Sequence, residues 1–161
     1  MDRRLDGRYV GNDFKAKRVT SGQLYEDGNF VKKVAKATYD TAGNDSAGVS
    51  NKTVAAHGLG VFIPKNSIVT RAWFETLTGF DSAASTATIA ISINAANDVL
   101  SALIVSNAKL VAAGLNETIQ DGTAAHFIET TAEKELVATV AVQALTVGKL
   151  RLFVEYIDPV K

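Results

Sequence analysis

Two stretches decide the fold: Ile68-Val69-Thr70-Arg71-Ala72-Trp73-Phe74-Glu75-Thr76-Leu77-Thr78 and Lys149-Leu150-Arg151-Leu152-Phe153-Val154-Glu155-Tyr156-Ile157. Both are rich in β-branched and aromatic residues, and the second alternates Leu150, Leu152, Val154 and Tyr156 with polar or aromatic neighbours, the period of a half-buried strand. Each also carries Arg, an aromatic residue and Glu at alternate positions. Laid antiparallel with Trp73 opposite Phe153, the strands bring Arg71 to Glu155 and Glu75 to Arg151. Two opposite-charge pairs then flank an aromatic pair, each favourable by about 0.2–1 kcal/mol. The alternative is that two amphipathic strands share the pattern by coincidence. Pairing an early strand with the last one is the arrangement of a jelly roll. It sends Ile68, Ala72, Phe74, Leu150, Leu152 and Val154 to the core and the other face outward. An outward Trp and Phe make Arg71, Trp73, Glu75, Arg151, Phe153 and Glu155 candidates for a subunit interface.

Further strand signals surround these two. Leu59 to Ile63 is an apolar run ended by the turn Pro64-Lys65-Asn66. From Thr86 the alternation places Ala87, Ile89, Ile91 and Ile93 on one face. Val99 to Val105 reads as either strand or helix, and Asn107 to Ala113 suits a helical turn stopped by Gly114. Strands are expected again over Thr123 to Thr131 and Glu135 to Gln143, with turn signals at Asp81-Ser82, Asn94 to Asp98, Asn116, Asp121-Gly122 and Gly148. Some seven short strands at this spacing predict an all-β, jelly-roll-like antiparallel β-sandwich. No repeat of 20–50 residues suggests a propeller or solenoid.

The sandwich is expected over residues 58–161, preceded at 1–57 by an extended basic N-terminal arm and loop. Val31 to Tyr39 is strand-like, and Asp40 to Lys52 has the Thr, Gly, Asn, Asp and Ser content of an exposed loop. Before them the apolar residues are scattered among charges and glycines. Such a segment cannot offset its own ordering entropy, so it is either disordered or laid on another surface. The balanced total of 17 cations and 17 anions conceals an asymmetry: residues 1–36 carry nine cations against five anions, and the rest carries eight against twelve. Arg3, Arg4, Arg8, Lys15, Lys17 and Arg18, with Tyr9 and Phe14 as aromatic anchors, are the candidate docking residues. The same set could neutralise phosphates and stack on bases, but the interspersed carboxylates favour a protein partner, and no nucleic acid is expected. No apolar segment is long enough for a signal peptide or membrane span, so no membrane partner is expected.

Chemistry is sparse. The absence of Cys removes thiol catalysis and Cys-ligated metals. His57 and His126 stand apart from any triad-like arrangement and read as structural. Glu129, Glu133 and Glu135 look like a solvated turn rather than a glycosidase pair. Neither the glycines nor the Asp40 to Asp45 loop fits a phosphate or calcium motif. The expectation is no enzyme, no cofactor and no metal.

Three segments carry a resemblance: Leu59 to Phe74 with its Ile-Pro-Lys turn, Thr86 to Ile93 with Ile119 to Ala125, and Leu136 to Ile157 with Ala144-Leu145-Thr146-Val147-Gly148-Lys149-Leu150. Across Gly58 to Ile157 the chain resembles the capsid decoration proteins, also called cement or head-stabilising proteins, of tailed bacteriophages. The resemblance implies a jelly-roll-like sandwich. It also implies a homo-oligomer seated between major capsid protein subunits on the outer surface of the virion, made in the host cytoplasm, with no catalysis. Residues 1–57 have no counterpart in it. Dimer and trimer both fit one sticky face. The competing reading is a carbohydrate- or receptor-binding jelly roll, with Trp73 and Tyr39 or Tyr25 stacking on sugars.

Overall fold

The computed structural model describes residues 32–158. Nine strands run β1 (Lys32–Asp40), β2 (Ala56–Ile63), β3 (Ile68–Ser82), β4 (Thr88–Ser92), β5 (Leu100–Ile104), β6 (Gly114–Asp121), β7 (Ile128–Glu129), β8 (Lys134–Ala141) and β9 (Leu145–Ile157), with one helical turn, α1 (Ala108–Val111), between β5 and β6. They form two antiparallel sheets, β1-β9-β3-β6 with the short β7 beside β3, and β2-β8-β4-β5. The pairs nest: β1 with β9, β2 with β8, β3 with β6, β4 with β5. Successive pairs alternate between sheets, as when one long hairpin is rolled up on itself. That is the eight-stranded jelly roll, with β7 as an addition.

Alternation builds the core. Ala72, Phe74, Leu150, Leu152 and Val154 from the first sheet meet Ile89, Ile91, Leu136, Ala138 and Val140 from the second, all essentially inaccessible to solvent. Each large side chain so buried contributes about 1.5–3 kcal/mol. Ile68 departs from expectation because Val69 lies opposite Tyr156 and Arg71 opposite Glu155, leaving Thr70 as an extra residue. This bulge shifts the alternation by one residue, so that Val69 is buried in place of Ile68, which is only half-buried, while Thr70 shares the outward side with Arg71 opposite Glu155.

Other expectations need correction. The sheet begins at Lys32, inside the segment assigned to the arm and loop, because β1 pairs with β9 along its whole length and sends Ala37 and Tyr39 into the core. Only residues upstream of β1 can belong to a separate arm. Residues 123–131 hold a 3-10 turn over Ala124–His126 and two strand residues rather than one long strand. The missing strand is β6, whose Asn116, read as a turn, pairs with Phe74. The helical turn ends at Val111, ahead of Gly114, and is capped by Asn107 accepting from the Lys109 N–H at 3.0 Å. Among the described residues no helix is long and apolar enough to cross a membrane.

At the β8–β9 connection Val142 has φ +71° and is 72% exposed. A β-branched side chain strains this left-handed conformation, whereas Asn tolerates it. Val142→Asn is expected to stabilise the fold by about 1 kcal/mol, raising the melting temperature by about 2–4 °C. A thermal melt with no rise would show that the strain is relieved elsewhere.

Candidate interaction face

The outward side of the first sheet holds all six interface candidates. Arg71 lies opposite Glu155, Trp73 opposite Phe153, and Glu75 opposite Arg151, the expected register. The Trp73 and Phe153 rings stack with centroids 5.5 Å apart and planes at 12°. The guanidinium of Arg71 sits 5.9 Å from the Trp73 ring centre, within cation–π range. Arg151 Nη1 donates to Glu75 Oε2 at 3.2 Å, so one expected ion pair forms. The other does not. Arg71 turns to Glu117 on β6, while Glu155 Oε1 accepts from the Thr70 hydroxyl at 2.6 Å and from Lys32 Nζ at 3.0 Å. The bulge is the cause, since it brings the Thr70 hydroxyl to the carboxylate that Arg71 was expected to hold. The Thr70 hydrogen bond first, then Lys32 and the Arg71 charge, keep the Glu155 carboxyl below its ordinary range.

The edge strands complete the face. Lys36 on β1 lies opposite Phe153, and Glu117 on β6 opposite Trp73, so one row reads Lys36, Phe153, Trp73, Glu117. Leu115, 72% exposed, with Arg71, Trp73, Asn116 and Glu117 borders a groove of about 330 Å³. Sequence reasoning missed Lys36, Leu115 and Glu117 because the strand-like run Val31 to Tyr39 was left outside the sandwich and β6 was not assigned. The arm candidates Arg3, Arg4, Arg8, Tyr9, Phe14, Lys15, Lys17 and Arg18 lie outside the described residues, as does Tyr25. Tyr39, offered as a sugar platform, is inaccessible in the core, stacked on Phe80 with its hydroxyl donating to the Asn51 carbonyl.

Each histidine meets a carboxylate, a pairing that the sequence did not reveal. His57 is fully buried, with Nδ1 3.1 Å from Asp45 Oδ2 and Nε2 2.9 Å from the Thr53 carbonyl oxygen. Both ring nitrogens are thus engaged by oxygens and no hydroxyl nucleophile is in reach, so the pair is a loop clasp rather than part of a triad. His126 Nδ1 lies 3.1 Å from Asp121 Oδ1 on the surface. The Thr123 backbone N–H, the Thr123 hydroxyl and His126 together hold that carboxyl down to about 2. Glu135 Oε1 accepts from the Gly60 N–H at 2.8 Å, and Glu133 is exposed. Among the described residues no group of three or more His, Cys, Asp or Glu could hold a metal ion. What the described residues offer is a mixed aromatic and charged face with a groove at its β6 edge.

No protein-family model and no curated protein matches the sequence. Solved structures do match in fold. A chain of the capsid asymmetric unit of cyanophage Pam1 superposes with a TM-score of 0.57 at 22% identity, covering 81% of this chain and 87% of that one. A chain of the acid-stable capsid of Helicobacter pylori bacteriophage KHP30 superposes with a TM-score of 0.54 at 20% identity, covering 81% of this chain and 90% of that one. At these identities the likeness establishes the fold, and the jelly-roll sandwich is therefore one that also occurs, nearly whole, in two phage capsids.

Proposed function

We propose that the chain is a structural virion protein that decorates and stabilises a phage capsid by binding across neighbouring major capsid protein subunits. The observation that carries this reading is the fold: a jelly roll shared with chains of two phage capsids, whose first sheet offers a mixed aromatic and charged outer face. The cations of the N-terminal segment fit an acidic capsid exterior, with Tyr9 and Phe14 as anchors in its grooves. Binding is a clamp: each copy buries arm and sandwich surface across a subunit boundary, and many symmetric copies turn a modest single-site affinity into shell stability. The partners are the capsid protein and further copies of this chain, with no role for nucleic acid, membrane or turnover.

The test is co-sedimentation with expanded capsids, combined with their protection against heat. Deleting residues 1–30 is expected to lower capsid affinity by at least about tenfold while leaving the melt of the sandwich intact. Unchanged affinity rejects the arm as anchor, and no co-sedimentation of the full chain rejects decoration. The groove beside Trp73 favours one second reading, a glycan- or receptor-binding module; binding of isolated protein to glycans, lost in Trp73→Ala, would establish it instead.

A further inference from the structure

The charges on the outer face of the first sheet form a pattern that fits itself. Arg71 and Arg151 occupy one diagonal around the stacked Trp73–Phe153 pair, and Glu155 and Glu75 occupy the other. We propose that this face seats a second copy of the chain, related by a two-fold axis lying in the face and running along β3 and β9. Turning a copy over about that line sets its Arg71 on Glu155, its Glu75 on Arg151, and its Trp73 on Phe153. By symmetry each contact occurs twice, as an isologous interface requires.

The edge strands choose between the two axes that the central four charges allow. An axis across the strands would also put Arg on Glu, but it sets Lys36 on Lys36 and Glu117 on Glu117. The axis along the strands sets Lys36 of one copy on Glu117 of the other, because these residues end the same row on opposite sides of the aromatic pair. All three charge types are then matched, and the exposed Leu115 is covered. Both axes keep the strands of the two facing sheets aligned, the ordinary way for sheets to stack. Like-charge contacts in the wrong orientation suppress it, so the pattern sets register and specificity more than strength. A face of four strands is small, which predicts a micromolar rather than a nanomolar dimer. A three-fold ring loses the reciprocity. The inference stands apart from the capsid reading, since the contact is a property of the free protein.

Sedimentation velocity over a concentration series into the high-micromolar range tests it. The wild type is expected to pass from monomer to dimer. R71E/R151E makes the central face acidic and E75R/E155R makes it basic; each alone is expected to weaken self-association at least about tenfold, and an equimolar mixture to restore it. Circular dichroism and thermal melts check that the variants fold. Should the Glu155 change unfold the protein, K36E and E117K at the exposed edges give the same readout: each weakened alone, restored together. A wild type that stays monomeric, a wild type that forms trimers, or folded complementary variants that fail to associate on mixing would each overturn the proposal.

Discussion

Replacing Gly148 by Ala is expected to lower the melting temperature by about 10 °C or to prevent the sandwich from forming. Gly148 lies in β9 with φ +147°, and a Cβ built there falls 2.0 Å from the Phe80 ring. The ring cannot easily swing away, because Phe80 is 4% exposed and stacked on Tyr39 at 6.1 Å, and Tyr39 is itself fully buried with its hydroxyl engaged. The Gly148 carbonyl also accepts from the Thr41 N–H at 3.0 Å, so backing the strand off would break the entry to the β1–β2 loop. Overpacking of this kind costs about 1–3 kcal/mol, backbone strain adds about 1 kcal/mol, and each kcal/mol is worth about 2–4 °C at this chain length. Gly60→Ala is the control. Gly60 also has positive φ, at +67°, but nothing lies within 4 Å of its would-be Cβ, so only the strain remains. Circular dichroism melts of the two variants separate the effects, and equal losses would refute the clash with Phe80.

The jelly roll was legible because its decisive pairing is written in side chains. Arg71, Trp73 and Glu75 against Glu155, Phe153 and Arg151 leave one sensible antiparallel register, and a slip by one residue would turn Phe74 and Leu152 to solvent. The bulge at Thr70 was not legible. Nothing in the run Val69-Thr70-Arg71 marks an extra residue, and its effect is visible only once Thr70 and Arg71 both face Glu155 and Val69 takes the core position expected of Ile68. β6 was hidden for a related reason: Asn116 and Gly114 are turn formers, yet Asn116 sits in the strand with its side-chain amide donating to the Lys109 and Gly114 carbonyls. With β6 unseen, Glu117 could not be recognised as the residue that takes Arg71 from Glu155. The candidate face was thus readable in its two central strands and not in its edges, and the edges are what distinguish one orientation of a partner from another.

The second large effect lies where β2 clasps the segment read as an exposed loop. His57→Ala is expected to destabilise the protein by about 3 kcal/mol, since it opens a cavity beside Tyr39 and strips the buried Asp45 carboxylate and the Thr53 carbonyl of their shared partner. The clasp is centred on Asp45, whose Oδ1 accepts from the Val49 N–H at 2.8 Å and the Ala47 N–H at 2.9 Å. The Val49 hydrogen bond first, then His57 and Ala47, hold the Asp45 carboxyl below its ordinary value of 3.8. A carboxyl lowered in the folded state binds protons more readily when the chain unfolds. Its contribution is therefore complete above that ordinary value and is lost as the pH falls through the lower folded one. Asp45→Asn removes the titration and the charge while keeping an oxygen acceptor. Urea melts at neutral pH are expected to find D45N less stable than the wild type, and melts in strong acid, below pH 3.8, are expected to find that difference narrowed. Other lowered carboxyls, Asp40, Asp121 and Glu155, weaken both proteins alike in acid, so the difference between the two curves is the quantity that isolates Asp45. A difference that does not change with pH would mean that the Asp45 carboxylate contributes shape rather than charge to the clasp, and that the loop is held by the backbone hydrogen bonds alone.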